Sequence, residues 1–202
     1  MPELSSVADE RQALRRRMRS LRRGISEQAR LEKETALAQH IRALGVYKAA
    51  HRIAIFLAFD GEPRLQQLLN TAIGQGKQLF APVIRADSMH FAALTPDTNM
   101  GANSFGILEP TDSELVDVRS LDLVLTPLVA FDDRGTRLGV GRAYYDRCFR
   151  SLRHRQQWFR PKLLGIAYGF QQLPFIEPLT WDIPLWAVVT ENGLQQFSCK
   201  KP

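Results

Sequence analysis

Apolar residues follow two rhythms along this chain. Between residues 8 and 24, Leu14, Met18 and Leu21 recur at i, i+4 and i+7, one face of a helix whose other faces are largely arginine. Gly24 closes that helix and Ser26 caps the next, with Glu27 in its first turn. Leu37, Ile41 and Leu44 supply the second helix with its stripe before Gly45 stops it, so residues 8–45 read as a helical hairpin. From Ile53 to Phe59 the pattern becomes a near-continuous apolar run, as in a strand covered on both faces, and Asp60-Gly61-Glu62-Pro63 is its exit loop. Leu65, Leu68, Leu69 and Ile73 mark a helix ending near Gly74 or Gly76, and Gln78–Ile84 is a second strand. Strand, helix and strand at this spacing predict a right-handed βαβ unit and a parallel sheet, whose ligands bind at the C-terminal ends of its strands.

Met89–Leu94 reads as a shorter strand. The loop from Thr95 to Glu109, punctuated by Pro96, Gly101 and Gly106, is long enough to carry binding residues and makes Phe105 a candidate. Leu121, Leu123, Val124 and Leu125 form another covered strand ended by Pro127, and Asp133-Arg134-Gly135 is a turn. A helix is expected from Tyr144 to roughly Arg155, with Tyr145, Phe149 and Leu152 facing the core. Lys162–Tyr168 and Leu185–Thr190 supply two further strands, joined through the proline-rich stretch from Pro174 to Pro184. The expected architecture is one α/β domain over residues 1–202, in three layers. A mostly parallel sheet carries helices on both faces and is preceded by the basic N-terminal hairpin.

Composition agrees with one globular domain: 202 residues, 45% hydrophobic and 24% charged. The excess of 27 Lys and Arg over 21 Asp and Glu gives +6 and raises the question of an anionic partner. Cys148 and Cys199 are far apart and beside no histidine cluster, which speaks against a zinc site or a disulfide framework. His40, His51, His90 and His154 are scattered and read as structural or surface residues. The first ten residues hold Glu3, Asp9 and Glu10 without an apolar segment, and no run approaches the ~18 apolar residues of a membrane span. A cytoplasmic protein with no membrane partner is therefore expected.

Between the strand ending at Pro127 and the helix starting near Tyr144 lie Gly139 and Gly141, with Arg137 and Arg142 beside them. Backbone amides and arginine at a helix N-terminus suit a phosphate. The third glycine of a dinucleotide fingerprint is absent, however, and no P-loop occurs, so a plain connecting loop remains equally open.

The wording of the stretch is more specific than its chemistry. Pro127-Leu-Val-Ala-Phe131-Asp132, then Arg137-Leu138-Gly139-Val140-Gly141-Arg142-Ala143-Tyr144-Tyr145-Asp146, resembles the signature of the 5-formyltetrahydrofolate cyclo-ligases (5,10-methenyltetrahydrofolate synthetases). Leu14-Arg15 after Arg11, Glu62 after the first strand, Phe105-Gly-Ile-Leu-Glu109-Pro110, Asp182-Ile-Pro184 and Val188-Val-Thr190-Glu191 fall in the family's order. Three departures stand out: Arg11 replaces a lysine, Arg142-Ala143 replaces a Gly-Gly or Lys-Gly pair, and Trp186 stands where many members carry an acid.

The resemblance implies MgATP-dependent closure of 5-formyltetrahydrofolate to 5,10-methenyltetrahydrofolate; the sequence leaves open whether the substrate is polyglutamylated and whether the chain is a monomer or a weak dimer. It implies ATP-binding roles for Arg11, Arg15 and the run Arg137, Leu138, Gly139, Val140, Gly141, Arg142, Ala143, Tyr144, Tyr145 and Asp146. Arg142, Tyr144 and Tyr145 are the candidates nearest the chemistry. Phe59, Glu62, Phe105 and Tyr144 are the folate candidates, because a carboxylate can accept from the N–H donors of a pterin edge while aromatic rings wall it. Asp146 is the candidate Mg²⁺ ligand. Each has a plainer alternative: a solvated loop carboxylate for Glu62, core packing for Tyr145, helix-dipole compensation for Asp146. Two rival functions are weighed beside this one. A nucleic-acid binder could use Arg11, Arg15, Arg16, Arg17, Arg19, Arg22 and Arg23, although no binding motif accompanies them. A sugar-phosphate or coenzyme A isomerase or transferase could use a similar fold.

Overall fold

The computed structural model describes residues 3–152 and 160–197. Five α-helices occur among them: α1 (Glu3–Arg23), α2 (Glu27–Ala43), α3 (Gly45–Ala49), α4 (Gln66–Gly74) and α5 (Tyr144–Cys148). The strands are β1 (Arg52–Ala54), β2 (Gln78–Arg85), β3 (Ser88–Leu94), β4 (Met100–Ala102), β5 (Leu108–Pro110), β6 (Leu115–Val116) and β7 (Leu123–Pro127). They continue with β8 (Ala130–Asp132), β9 (Arg137–Leu138), β10 (Lys162–Ile166), β11 (Gln172–Leu173), β12 (Ala187–Thr190) and β13 (Gly193–Gln196). Eight of them form one sheet in the order β13-β12-β10-β7-β1-β2-β3-β6. The five inner strands, from β12 to β2, run parallel, and β13, β3 and β6 add antiparallel edges.

Period-two burial explains the near-continuous apolar runs. On one face Ile53, Ile55, Leu123, Leu125, Leu164, Ile166, Ala187 and Val189 pack against Leu37, Ala38 and Ile41 of α2, Tyr47 of α3 and Leu68 and Ala72 of α4. On the other, Ala54, Val124, Leu163 and Val188 join Phe91, Phe131, Phe149, Ile183 and Leu185. Adjacent residues of each inner strand thus serve opposite cores, which is why these strands do not alternate with polar residues. Along the sheet, β2 lies on one side of β1 and β7 on the other. The order in which the chain lays down strands therefore reverses between β1 and β7, and at such a switch point the loops leaving the two strands diverge and leave a crevice at their C-terminal ends.

Several expectations change in detail. β1 pairs only over Arg52–Ala54; beyond it the chain stays extended, with the Ile55 amide donating to Phe80 O, and then peels away into its exit loop. α1 begins at Glu3 rather than near residue 8, and its buried face is not the one the apolar spacing selects. Met18 is buried, but Leu21 is 48% exposed, while Arg11 and Arg22 on the neighbouring stripe are buried at 5% and 1%. α2 ends at Ala43, and a further short helix, α3, precedes the sheet. The helix expected from Tyr144 stops at Cys148 and gives way to a 3₁₀ turn at Arg150–Leu152; residues 153–159, and the side chain of Leu152, lie outside the described residues. No helix among the described residues is long and apolar enough to cross a membrane.

Asp132, at the end of β8, shows how the central loop is anchored. Fully buried, its Oδ1 accepts from the Arg134 and Thr136 amides and its Oδ2 from the Ile176 amide. One carboxylate thereby closes the Asp133-Arg134-Gly135 turn and ties it to the proline-rich connection. Asp132→Ala strands three amides without partners and should cost about 3 kcal/mol or more. Urea unfolding checks this: the midpoint should fall with little change in slope.

Candidate active site

The crevice between β1 and β7 is bridged by α1. Arg22, at the last turn of that helix, donates from Nε to Asp60 O (2.9 Å), from Nη2 to Asp60 Oδ2 (3.2 Å) and from Nη1 to Leu128 O (3.4 Å). Its Nη1 also lies 3.8 Å from Glu62 Oε1. Asp60 follows β1 and Leu128 follows β7, so a single guanidinium holds both lips of the crevice. Arg19 and Arg23 bind the Asp60 carboxylate as well, and Arg30 donates to Gly61 O. Burial works to raise the Asp60 pKa, but the three arginines outweigh it and hold it below the usual range. The close approach depends on Gly61: at φ +75° a side chain there is strained, and a Cβ would sit 3.3 Å from Arg22 O.

Glu62 is not a solvated loop carboxylate. It is 7% exposed, and its Oε2 accepts from the Phe59 amide at 3.1 Å. Burial pushes its pKa up to about 7, Asp60 adds to the rise, and Arg22, the Phe59 amide and Arg19 oppose it. Tyr145 of α5 senses the same charge: burial first, then Glu62, raises its pKa, while Arg137 lowers it. Tyr145 keeps partial exposure although its hydroxyl is deeply surrounded, as expected of a residue lining a crevice. Its ring also stacks on Phe149 (6.3 Å, 25°), so core packing coexists with electrostatic reach to Glu62.

The glycine loop is held by the same helix. Arg15 Nε donates to Gly139 O at 2.9 Å, and a Cβ on Gly141, whose φ is +104°, would lie 3.6 Å from the Arg15 guanidinium. Arg15 and the Gly139–Gly141 backbone are therefore neighbours. Leu138 is wholly buried against Met18, Val129, Ala130 and Ile176, while Val140 is 50% exposed at the tip. Arg142 is exposed with its guanidinium 4.4 Å from the Phe105 ring centre, and that ring lies 6.3 Å from Tyr144. Arg142, Phe105 and Tyr144 thus form one cluster. Phe59, by contrast, is 41% exposed and reaches Glu62 through its amide.

Two arginines expected at phosphates are committed inside the protein. Arg11 is salt-bridged to Asp182 at 3.1 Å and donates to Glu177 O at 2.6 Å, leaving a buried Nε with no protein partner. Arg137 is buried, donating to Ile183 O (2.5 Å) and to Asp146 Oδ1 (2.6 Å). Asp146 is accordingly neither a free ligand nor a plain dipole-compensating residue, since the same Oδ1 accepts the Ile183 amide at 3.1 Å. Both of these bonds fall on Oδ1, and the side chain is 17% exposed. Trp186 packs with the α2-side core and Lys162, on the opposite face of the sheet from Ile183. No group of three or more His, Cys, Asp or Glu forms a metal cage among the described residues.

Other features are set apart from this site. Burial pushes the Cys148 thiol up to about 12, which keeps it protonated and unreactive. An open cleft of about 740 Å³ is lined by Arg42, Tyr47, Lys48, His51 and Lys77 and lies at the other end of the strands. Arg42 and Lys48 there sit in the last turns of α2 and α3, where they answer the helix dipoles. The sequence reading missed Arg22, Asp60 and Asp182. A signal for Arg22 did exist: Arg11, Arg15, Met18 and Arg22 keep the same i, i+4, i+7, i+11 spacing as an apolar stripe.

Residues 7–191 match the model of the 5-formyltetrahydrofolate cyclo-ligase family. The chain is 33% identical over 184 residues to the 5-formyltetrahydrofolate cyclo-ligase of Haemophilus influenzae, covering 89% of this chain and 96% of that protein. It is 32% identical to the enzyme of that name from Escherichia coli, covering 89% and 100%. Among solved structures, Aquifex aeolicus 5,10-methenyltetrahydrofolate synthetase superposes with a TM-score of 0.82 at 27% identity, covering 95% of each chain.

Two predictions follow from the geometry. Ala143, which caps α5 at φ +50°, holds a conformation that an L side chain adopts at about 1–2 kcal/mol. Ala143→Gly should therefore stabilise the fold by up to about 1 kcal/mol, read as a rise in melting temperature. Glu62, with a pKa raised from 4.5 to about 7, binds its proton more tightly in the folded chain than in the unfolded one. Its contribution is complete below the unfolded pKa and is lost as pH rises through the folded one. Wild-type stability should decline between those values, and Glu62→Gln should flatten that slope in denaturation curves taken across the window.

Proposed function

Because this chain belongs to the 5-formyltetrahydrofolate cyclo-ligase family, we propose that it uses MgATP to convert 5-formyltetrahydrofolate to 5,10-methenyltetrahydrofolate, releasing ADP and phosphate. The observation that carries this reading is the buried Glu62 at the switch point, within electrostatic reach of Tyr145, together with the glycine loop that follows β9 and is braced by Arg15. A buried carboxylate suits the N–H edge of a pterin, and amides with arginine suit polyphosphate.

The chemistry gives each group a task. A formamide oxygen is a poor leaving group until it is phosphorylated. The formyl oxygen takes the γ-phosphoryl group of ATP and ADP departs. N10 of the folate then attacks the activated carbon, the carbon–oxygen bond breaks, and phosphate leaves with the former formyl oxygen as N10 releases its proton. The protein must align the formyl oxygen with the phosphoryl group and keep water from the intermediate. Arg15, Arg142 and the Gly139–Gly141 amides are proposed to hold the phosphates. Glu62 orients the pterin, and Phe105 and Tyr144 wall it. Tyr145, kept protonated by burial, can donate its hydroxyl proton in a hydrogen bond to the reacting oxygen.

Mg²⁺ fits modestly: Asp146 has both of its bonds on Oδ1 and keeps partial exposure, and Mg²⁺ commonly relies on one or two carboxylates together with substrate phosphates. Bound with the nucleotide, the ion would neutralise phosphate charge. Nucleic-acid binding is disfavoured, because five of the α1 arginines (Arg11, Arg15, Arg19, Arg22 and Arg23) are engaged within the protein. Only Arg16 and Arg17 remain exposed without a protein partner among the described residues of α1's arginine run.

The direct test mixes the chain with MgATP and 5-formyltetrahydrofolate and follows the methenyl chromophore together with ADP. Absence of both products would sink the proposal. Within it, Arg142→Ala should weaken ATP by ~1.5–3 kcal/mol while folate affinity holds, because a charge-assisted contact to phosphate is lost. Glu62→Gln should do the reverse, presenting a donor to the pterin's own donors. Titrating each variant with each ligand separates the two, and equal losses for both ligands would count against these assignments.

A further inference from the structure

We propose that Arg22 is a positioning residue that sets the charge on Glu62, so that the carboxylate facing the crevice is available in its ionised, two-acceptor form near neutral pH. The inference deepens the reading given above and rests on it. Arg22 lies too deep to meet substrate itself: it is 1% exposed and caged by Asp60 O, Leu128 O and the Asp60 carboxylate. Its Nη1 nevertheless lies 3.8 Å from Glu62 Oε1, with no closer side-chain partner for that oxygen among the described residues.

The charged and titratable groups facing Glu62 come from every element around it. Arg22 and Arg19 approach from α1, Asp60 stands in the same loop, and Tyr145 faces it from α5. Of these, Arg22 exerts the largest pull towards ionisation, and it works against burial, which pushes the other way. Burial is the main reason the carboxyl is poised near neutrality, and Asp60, which shares the guanidinium, adds a smaller push in the same direction. Removing the cation takes away the largest influence opposing burial, leaves only the Phe59 amide and Arg19, and shifts the carboxyl towards its protonated form at neutral pH. A protonated Glu62 offers the pterin edge a donor where an acceptor is needed, so the loss should appear in folate recognition and should be relieved by alkali.

The test is the pH profile of kcat/KM for 5-formyltetrahydrofolate in wild type, Arg22→Met and Arg22→Lys, with KM for ATP measured alongside. Arg22→Met should move the acid limb upward by about one pH unit or more, raising the folate KM roughly tenfold at neutral pH and much less in alkali. The ATP KM should hold, and Arg22→Lys should return the limb most of the way. A merely structural arginine predicts a loss of the same factor at every pH, and that result would overturn the proposal. Where Arg22→Met does not fold, Glu62 carboxyl titration by carbon NMR in Arg22→Gln, which removes the charge but keeps hydrogen-bond donors, decides: a midpoint identical to wild type overturns the proposal, and a raised one supports it. Failure of wild type to form methenyl product would instead remove the functional reading beneath it, so the two failures are distinguishable.

Discussion

A guanidinium almost wholly withdrawn from water organises this molecule. Arg22 is 1% exposed, and burial alone would make it an expensive residue. Its cost is offset because every direction in which it can donate is answered: by a carbonyl after β1, a carbonyl after β7, the Asp60 carboxylate and, at longer range, Glu62. Breaking one partner of such a buried arrangement typically costs about 3–5 kcal/mol, so the contact specifies where α1 lies as much as it stabilises it. The crevice at the strand ends exists in any sheet whose order reverses between β1 and β7. Here Arg22 turns it into a site by fixing both lips.

From that contact the rest of α1 falls into place. One turn and more towards the N-terminus, Met18 enters a small apolar cluster with Val129, Ala130, Leu138 and Ile176; beyond it Arg15 braces Gly139, and Arg11 ties down Asp182. The proline-rich connection is thus fastened three times: by Arg11 at Asp182, by Asp132 at the Ile176 amide, and by the Arg137–Asp146 pair at both backbone groups of Ile183. Much of the motif that reads as chemistry in the sequence is scaffold. Asp132, Arg137 and Glu109 spend their charges on backbone amides or neighbouring charges, leaving Glu62, Tyr145, Arg15, Arg142 and the glycine backbone facing outward or into the crevice.

The sheet was legible in the sequence because its physics is local: a strand buried on both faces must be apolar at every position, and Ile53–Ile55, Leu123–Leu125 and Leu163–Ile166 are. The caps at Gly24 and Ser26 are local as well. The burial of α1 was not legible, since Leu21 and Arg22 are adjacent and hydropathy favours the leucine. Only Asp60 and Glu62, some forty residues away, make the arginine the residue that goes inside. The same holds for Arg11 and Asp182, whose pairing spans 171 positions. The two commitments of Asp146 depend on Arg137 and on Ile183, so spacing alone left it between a metal role and a helix-terminus role.

In the proposed reaction the formyl oxygen is activated by phosphorylation and leaves with phosphate. A heavy-oxygen label in the formyl group of 5-formyltetrahydrofolate, followed by mass spectrometry during turnover with MgATP, tests this most directly. The label should appear in the released inorganic phosphate. Methenyl product accompanied by unlabelled phosphate, with the label found in water, would contradict it.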